Sequence, residues 1–201
     1  MKKLDVFIAG ETVDLCIPTL EFAKGSQWYS WFNNKKLTRY MDKQGLFPYT
    51  ADMQVEFFNS LNQDRLTLIV SNKSEYMGVV SLSSINMITN TCSIATIVDA
   101  TVDFQSPYIV LESVALITQY AFDVLGMNRI SGGNHIALSG WRRRMELLGY
   151  MVEGIKTNGF VKGREVCDGV SVACVYDNYQ YLLSKRNGSL WDSKNKFEKR
   201  F

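Results

Sequence analysis

Residues 104–126, FQSPYIVLESVALITQYAFDVLG, constrain the fold more than any other part of the chain. Ser106 followed by Pro107 is a helix start. The serine hydroxyl can accept a backbone N–H, and proline at the first helical position gives up an N–H that has no partner within the helix anyway. At the other end, Gly126 is a natural terminator, because a helix that closes in the left-handed conformation selects glycine there. Between these signals Glu112 and Asp123 are the only charges, and apolar side chains cover most of the circumference. Such a helix, running from Ser106 to about Leu125, has to be covered on several sides, so it predicts packing against a sheet.

The flanking segments supply that sheet. β-prone runs occur at 12–17, 66–70, 77–85, 92–98, 129–133, 150–156 and 170–176, with a hairpin connection expected at 86–90. Helical spacing appears at 20–32, where Gly25 is a weak point, and a second short helical piece is expected at 36–41. Thr50 is placed to cap a helix over 51–61 that turns Met53, Phe57, Phe58 and Leu61 to one face. Ser139 is expected to cap a helix over 140–148 that Gly149 ends, and 179–185 forms a last short helix. Early helices, a central sheet and a βαβαβ close define an α+β chain, an α/β sandwich with a mixed, mostly antiparallel central sheet. The expected organisation is one domain over 1–185 and a basic, solvated C-terminal tail over 186–201.

Composition excludes several classes. With 46% apolar and 21% charged residues the chain is an ordinary globular one, and its length buries a core without disulfides. The net charge of +2 does not call for a polyanion, and no nucleic-acid-binding motif accompanies the basic tail. The apolar stretch after Lys2 and Lys3 breaks at Gly10-Glu11, and no run approaches membrane-spanning length, so no membrane partner and a cytoplasmic location are expected. Cys16, Cys92, Cys167 and Cys174 lack metal-ligand spacing and there is a single histidine, so the expectation is reduced, buried thiols and no metal site.

Four pieces in order resemble the GCN5-related N-acetyltransferases. They are 28–41 (WYSWFNNKKLTRYM), 76–82 (YMGVVSL), the 104–126 stretch, and 145–150 (MELLGY). The first piece resembles the ribosomal-protein and amino-sugar branches of that superfamily. The resemblance implies the acyl-CoA N-acyltransferase fold, acetyl-CoA as the donor, and transfer of an acyl group to a small amine, with an amino-sugar nucleotide as the leading acceptor. A non-catalytic relative binding a nucleotide, a sugar or a protein partner is the alternative. Monomer and homodimer both remain open.

The same resemblance locates the departures. The family's donor loop reads Q/R-x-x-G-x-G/A, and glycines let backbone N–H groups approach a pyrophosphate at a helix N-terminus. Here Gln105 is kept, but Tyr108 and Val110 replace the glycines and Pro107 has no N–H to give. The implied donor-binding residues are Gln105, Ser106, Tyr108, Ile109 and Val110. The position of the family's general-base glutamate holds Ser93. That of its leaving-group tyrosine holds Arg144, and that of its cofactor-contacting asparagine holds Leu138.

The residues themselves offer other chemistry. His135, the one imidazole of the sequence, ends a strand, which makes it a candidate base. Asp99 and Asp103 flank a strand end and are candidate bases if they face a cleft. Arg142 and Arg143 stand in the first turns of the expected 140–148 helix, where cations oppose the dipole; a phosphate-bearing ligand would relieve that conflict. Trp31, Arg39, Tyr40 and Phe47 are candidates for an aromatic acceptor pocket.

Overall fold

The computed structural model describes residues 3–99 and 106–198. β1 (Val6–Ala9) and β2 (Asp14–Cys16) open the chain. Two short helices, α1 (Leu20–Gly25) and α2 (Trp28–Asn33), and a longer α3 (Ala51–Asn59) follow. Then come β3 (Leu66–Ser71), β4 (Tyr76–Asn86), β5 (Thr91–Val98) and α4 (Ser106–Asp123). β6 (Arg129–His135), α5 (Ser139–Glu146), β7 (Met151–Lys162), β8 (Glu165–Val175), α6 (Tyr176–Lys185) and α7 (Lys194–Glu198) complete it.

All eight strands form one sheet in the order β1-β2-β3-β4-β5-β6-β8-β7. The β5–β6 pair is parallel and its neighbours are antiparallel. This is the mixed, mostly antiparallel sheet expected from the sequence. Strand alternation sorts the core into two layers. Leu68, Val70, Val80 and Leu82 join Ile109, Leu111, Val114 and Ile117 of α4 on one face. Ile69, Val79 and Ile97 meet Phe22, Trp28 and Trp31 of α1 and α2 on the other. Each fully buried aliphatic side chain contributes about 1.5–3 kcal/mol, so covering both faces is what holds the sheet. Among the described residues no helix is long and apolar enough to cross a membrane.

Several local expectations are corrected. The helix read over 20–32 is two helices. Ser26 closes α1 with its N–H on the Phe22 carbonyl, then restarts the chain by accepting the Trp28 N–H on its hydroxyl at 3.1 Å. Residues 36–41 are turns rather than helix. Asn34 causes this by taking the Lys36 N–H on its side chain and the Thr38 hydroxyl on its carbonyl. Thr50 caps α3 as expected, yet the buried residue of that helix is Gln54, and Met53 is exposed. In α5 the expected cap Ser139 is already helical, and the residue before it, Leu138, provides no side-chain cap. β7 and β8 form one long hairpin turning at Gly163 (φ +61°), not two short strands around a loop.

The expected solvated tail is also corrected over its described part. Leu190, Trp191 and Phe197 join the α4 core layer. The Trp191 indole N–H donates to Glu11 at 2.7 Å, and Arg186 donates to the carbonyls of Leu190 and Leu147. Three apolar anchors outweigh the charge of the intervening lysines, which remain at the surface.

Candidate functional site

Although β5 and β6 are neighbours, their ladder covers only Thr91–Ser93 against Arg129–Ser131. Beyond that point a cleft of about 560 Å³ opens between Ile94–Val98 of β5 and Gly132, Gly133 and Asn134 of β6. Val110 and Val114 of α4, with Trp141 and Met145 of α5, wall one side; Leu37, Tyr40 and the stretch to Gln44 wall the other. The adjacent glycines matter here. A side chain at Gly132 would begin 3.3 Å from Val172 Cγ2 and 3.6 Å from Ile94 Cγ2, in the gap between the strands.

The 37–44 wall has little regular structure of its own and is held from outside. Lys162, near the tip of the β7–β8 hairpin, donates to the carbonyls of Thr38 (2.6 Å), Met41 (3.0 Å) and Gln44 (2.7 Å). An ammonium has three N–H donors, so this arrangement saturates it. Gly45 follows with φ +76°, and a Cβ there would collide with the Thr38 hydroxyl. Neither the lysine clamp nor the wall was legible locally, because Lys162 lies far away in sequence.

Of the sequence candidates, Tyr40 and Val110 line the cleft. Ile109 is buried beneath it and Tyr108 packs half-buried against the same core. Ser106 is the first residue of α4, while Gln105 and Asp103 lie outside the described residues. Asp99 stands one residue past the cleft-lining Val98, half-buried, with its backbone N–H on the Met77 carbonyl. Trp31 is not brought to the cleft: it is 4% exposed, in the core beneath α2. Arg39 is exposed with its guanidinium 5.3 Å from the Tyr40 ring centre, and Phe47 is 81% exposed.

The arginines do not present the conflict expected. Because α5 spans only Ser139–Glu146, Arg143 and Arg144 fall in its last turn, where cations favour the dipole. Arg142 donates to the carbonyls of His135 (2.9 Å) and Ile136 (2.8 Å), closing the β6–α5 turn. Its planar fork is spent on the protein's own backbone.

His135 is buried behind Tyr40, at 4.6 Å between ring centres, and packs edge-on to Phe160. Its Nδ1 accepts the Ala137 N–H at 3.1 Å, while Nε2 lies 2.9 Å from Cys167 Sγ and 3.4 Å from Glu165 Oε1. These three side chains have ligand atoms within 4.8 Å of one another, a spacing a metal could use. The wiring opposes it: a ring whose Nδ1 already accepts a hydrogen bond carries its proton on Nε2, the atom a metal would need. The same proton placement removes His135 as a base toward Cys167. Burial, then Glu165 and Asp168, push the Cys167 thiol upward, so it stays protonated.

Glu112 has a structural position. It is fully buried in α4 and accepts from the Thr12 N–H, the Glu11 N–H and the Thr12 hydroxyl, tying the β1–β2 turn to the helix. Desolvation raises its pKa above the usual carboxyl range, partly countered by those hydrogen bonds. Cys92 and Cys174 are buried free thiols pushed up to about 12 by desolvation.

No protein-family profile and no curated protein matches this sequence. Solved structures do match. RimJ of Mycobacterium smegmatis in complex with CoA-disulfide superposes with a TM-score of 0.73 at 13% identity, over 88% of this chain and 90% of that one. The spermidine N-acetyltransferase of Vibrio cholerae, in complex with CoA and spermine, gives 0.71 at 15% identity over 84% and 98%. The microcin C7 self-immunity acetyltransferase MccE, in complex with acetyl-CoA and AMP, gives 0.68 at 20% identity over 83% and 93%. The chain therefore has the acyl-CoA N-acyltransferase fold of the GCN5-related N-acetyltransferases.

Proposed function

We propose that this protein is an acyl-CoA-dependent N-acyltransferase, most simply an acetyltransferase, acting on a small amine. The observation that carries this reading is the early end of the β5–β6 ladder, which leaves two strand edges facing each other across a cleft beside the start of α4. Strand edges past a ladder present backbone N–H and C=O groups, and an extended, amide-bearing thioester donor satisfies them as an added strand would. The structural neighbours bound to CoA, acetyl-CoA and CoA-disulfide support the same assignment of the donor.

In this reading the cleft works by orientation. The thioester carbonyl is held by backbone donors of β5, the amine nitrogen attacks its carbon, and the thiolate leaves while the nitrogen loses its proton. Attack by a neutral amine depends on alignment and carbonyl polarisation more than on a strong base. Serine at position 93, where the family resemblance expects a glutamate, is compatible with that. Asp42 lines the cleft and is the acidic side chain there that can take up the departing proton, with the Tyr40 ring beside it. Pro107 leaves the start of α4 one donor short at the pyrophosphate, so donor affinity depends more on the cleft walls than in glycine-loop relatives. An amino-sugar nucleotide has less support than a small amine, since Arg142, the expected diphosphate partner, is engaged with the His135 and Ile136 carbonyls.

Titration calorimetry with CoA and acetyl-CoA tests the reading, using wild type and Gly133→Trp. Gly133 lines the cleft and a Cβ there meets nothing within 4 Å, so a bulky side chain can be introduced at that wall without a clash at its base. Binding of one equivalent by wild type and its loss in the variant, at unchanged Tm, is expected. A wild type that ignores millimolar CoA overturns the enzyme reading in favour of a non-catalytic binding protein.

A further inference from the structure

A second, smaller cavity of about 100 Å³ adjoins the cleft and shares Met41, Ala95, Thr96 and Ile97 with it. It lies under α2 and α3 on the sheet face away from α4, and its walls include the aromatic rings of Phe32 and Phe57. Besides Arg65, polar groups interrupt its apolar wall at Trp28, Thr67, Ser81 and Thr96, of which Thr96 donates to the Val79 carbonyl at 3.3 Å. Trp28 is 0% exposed and Thr67 7% exposed, and both end in a polar atom shielded from solvent. The Trp28 indole Nε1–H and the Thr67 hydroxyl have no hydrogen-bond partner among the described residues. Leaving a buried polar group unpaired is unfavourable, and two such groups lining one cavity mark a place where something else completes them.

The chemistry of the pair restricts what that is. An indole N–H can only donate, so its partner has to be an acceptor; the threonine hydroxyl can donate to the same atom. No carboxylate lines the cavity. Arg65 is the one charged residue in the wall, exposed to solvent, with its guanidinium 5.7 Å from the Phe57 ring centre. A polyamine chain brings positive charge, and no carboxylate in the wall balances it. A carbonyl oxygen brings the acceptor both groups lack, and an uncharged one does so without the desolvation penalty of burying a carboxylate. The volume accommodates a few heavy atoms beyond the shared wall.

We propose that this cavity is the acceptor subsite and that it selects amines carrying an uncharged carbonyl, a carboxamide or peptide carbonyl, a few bonds from the nucleophilic nitrogen. This rests on the acyltransferase reading for the reaction, though not for the binding. The nitrogen lies in the cleft beside Ala95–Ile97, and the carbonyl oxygen accepts from Trp28 Nε1 and Thr67 Oγ1. Trp28 and Thr67 are then specificity residues, separated in sequence and brought to one cavity by the fold.

Two measurements test the subsite separately. In the first, CoA release from acetyl-CoA is followed with alaninamide and β-alaninamide against alanine, β-alanine, isobutylamine and spermidine. The amides are expected to exceed every other acceptor by at least tenfold in kcat/KM, and Thr67→Val to erase that preference while alkylamine turnover persists. In the second, the indole N–H resonance of Trp28, assigned by Trp28→Phe, is followed by NMR during titration with propionamide, without CoA. A saturable downfield shift is expected, weakened in Thr67→Val, whose melting temperature should be unchanged or raised because a shielded, unpartnered hydroxyl has been removed. Turnover with equal rates for amides and alkylamines overturns the subsite and leaves the acyltransferase reading standing. A Trp28 shift in a protein that neither binds CoA nor turns over leaves the subsite standing and removes the acyltransferase reading. An unmoved Trp28 resonance together with a lower Tm in Thr67→Val means the hydroxyl serves packing or ordered water, and overturns the subsite.

Discussion

Lys162→Met isolates the clamp on the cleft wall. Methionine keeps much of the side-chain length and apolar stem while removing the ammonium that donates to Thr38, Met41 and Gln44. Hydrogen bonds to a charged group contribute about 1.5–3 kcal/mol each when the partners would otherwise stay buried. Here the wall can swing out and its carbonyls can rehydrate, which reduces the net loss to roughly 1 kcal/mol per bond. The sum, about 3 kcal/mol, corresponds to an opening equilibrium shifted on the order of 100-fold at 1.4 kcal/mol per decade. Hydrogen exchange reads that shift directly, because local opening sets amide protection. The amides of Thr38 and Met41, bonded to the carbonyls of Asn34 and Thr38, should exchange about 100-fold faster, with β3 and β4 unchanged. Unaltered exchange at both amides would refute the clamp. Acceleration spread through the sheet would show that Lys162 supports the global fold instead.

Arg142→Ala should lower stability by about 1–2 kcal/mol, since it removes the donor to the Ile136 carbonyl and leaves the His135 carbonyl with the Leu138 N–H alone, and the loss should appear in denaturant melts without any added ligand. Glu112→Gln tests the buried carboxyl by comparing melts of the two proteins across pH. The folded pKa is raised by burial, so the wild-type contribution is fully present below the unfolded carboxyl value and is lost as pH rises through the folded one. The stability of wild type relative to the variant should therefore fall with rising pH over that window; a flat difference refutes the burial argument. Among the thiols, Cys167 alone should react with a disulfide reagent in the native state, and slowly, whereas Cys92 and Cys174, buried and pushed up to about 12, should react only on unfolding.

Local sequence already determined the elements whose signals are self-contained. The Ser-Pro start and apolar circumference specify α4, Thr50 specifies the start of α3, and the β-prone runs specify β3, β4 and β5. These rest on neighbours within a turn or along a strand, so propensity and periodicity suffice to read them. The mixed sheet and the acyltransferase-type fold follow from their order. Tertiary structure decided the rest of the site. The β5–β6 ladder stops after Ser93 and Ser131, and residues of α4, α5 and the 37–44 wall line the cleft beyond it, an arrangement that no local pattern marked. Arg142 looked available until the length of α5 and the turn before it gave its guanidinium two carbonyls. Trp31 and Trp28 stand three residues apart on one helix and read alike, and both join the core, yet only Trp28 also lines the small cavity and keeps a buried, unpartnered N–H. Whether a polar atom finds a partner depends on residues brought close from elsewhere in the chain. That is a property of packing, and no local pattern encodes it.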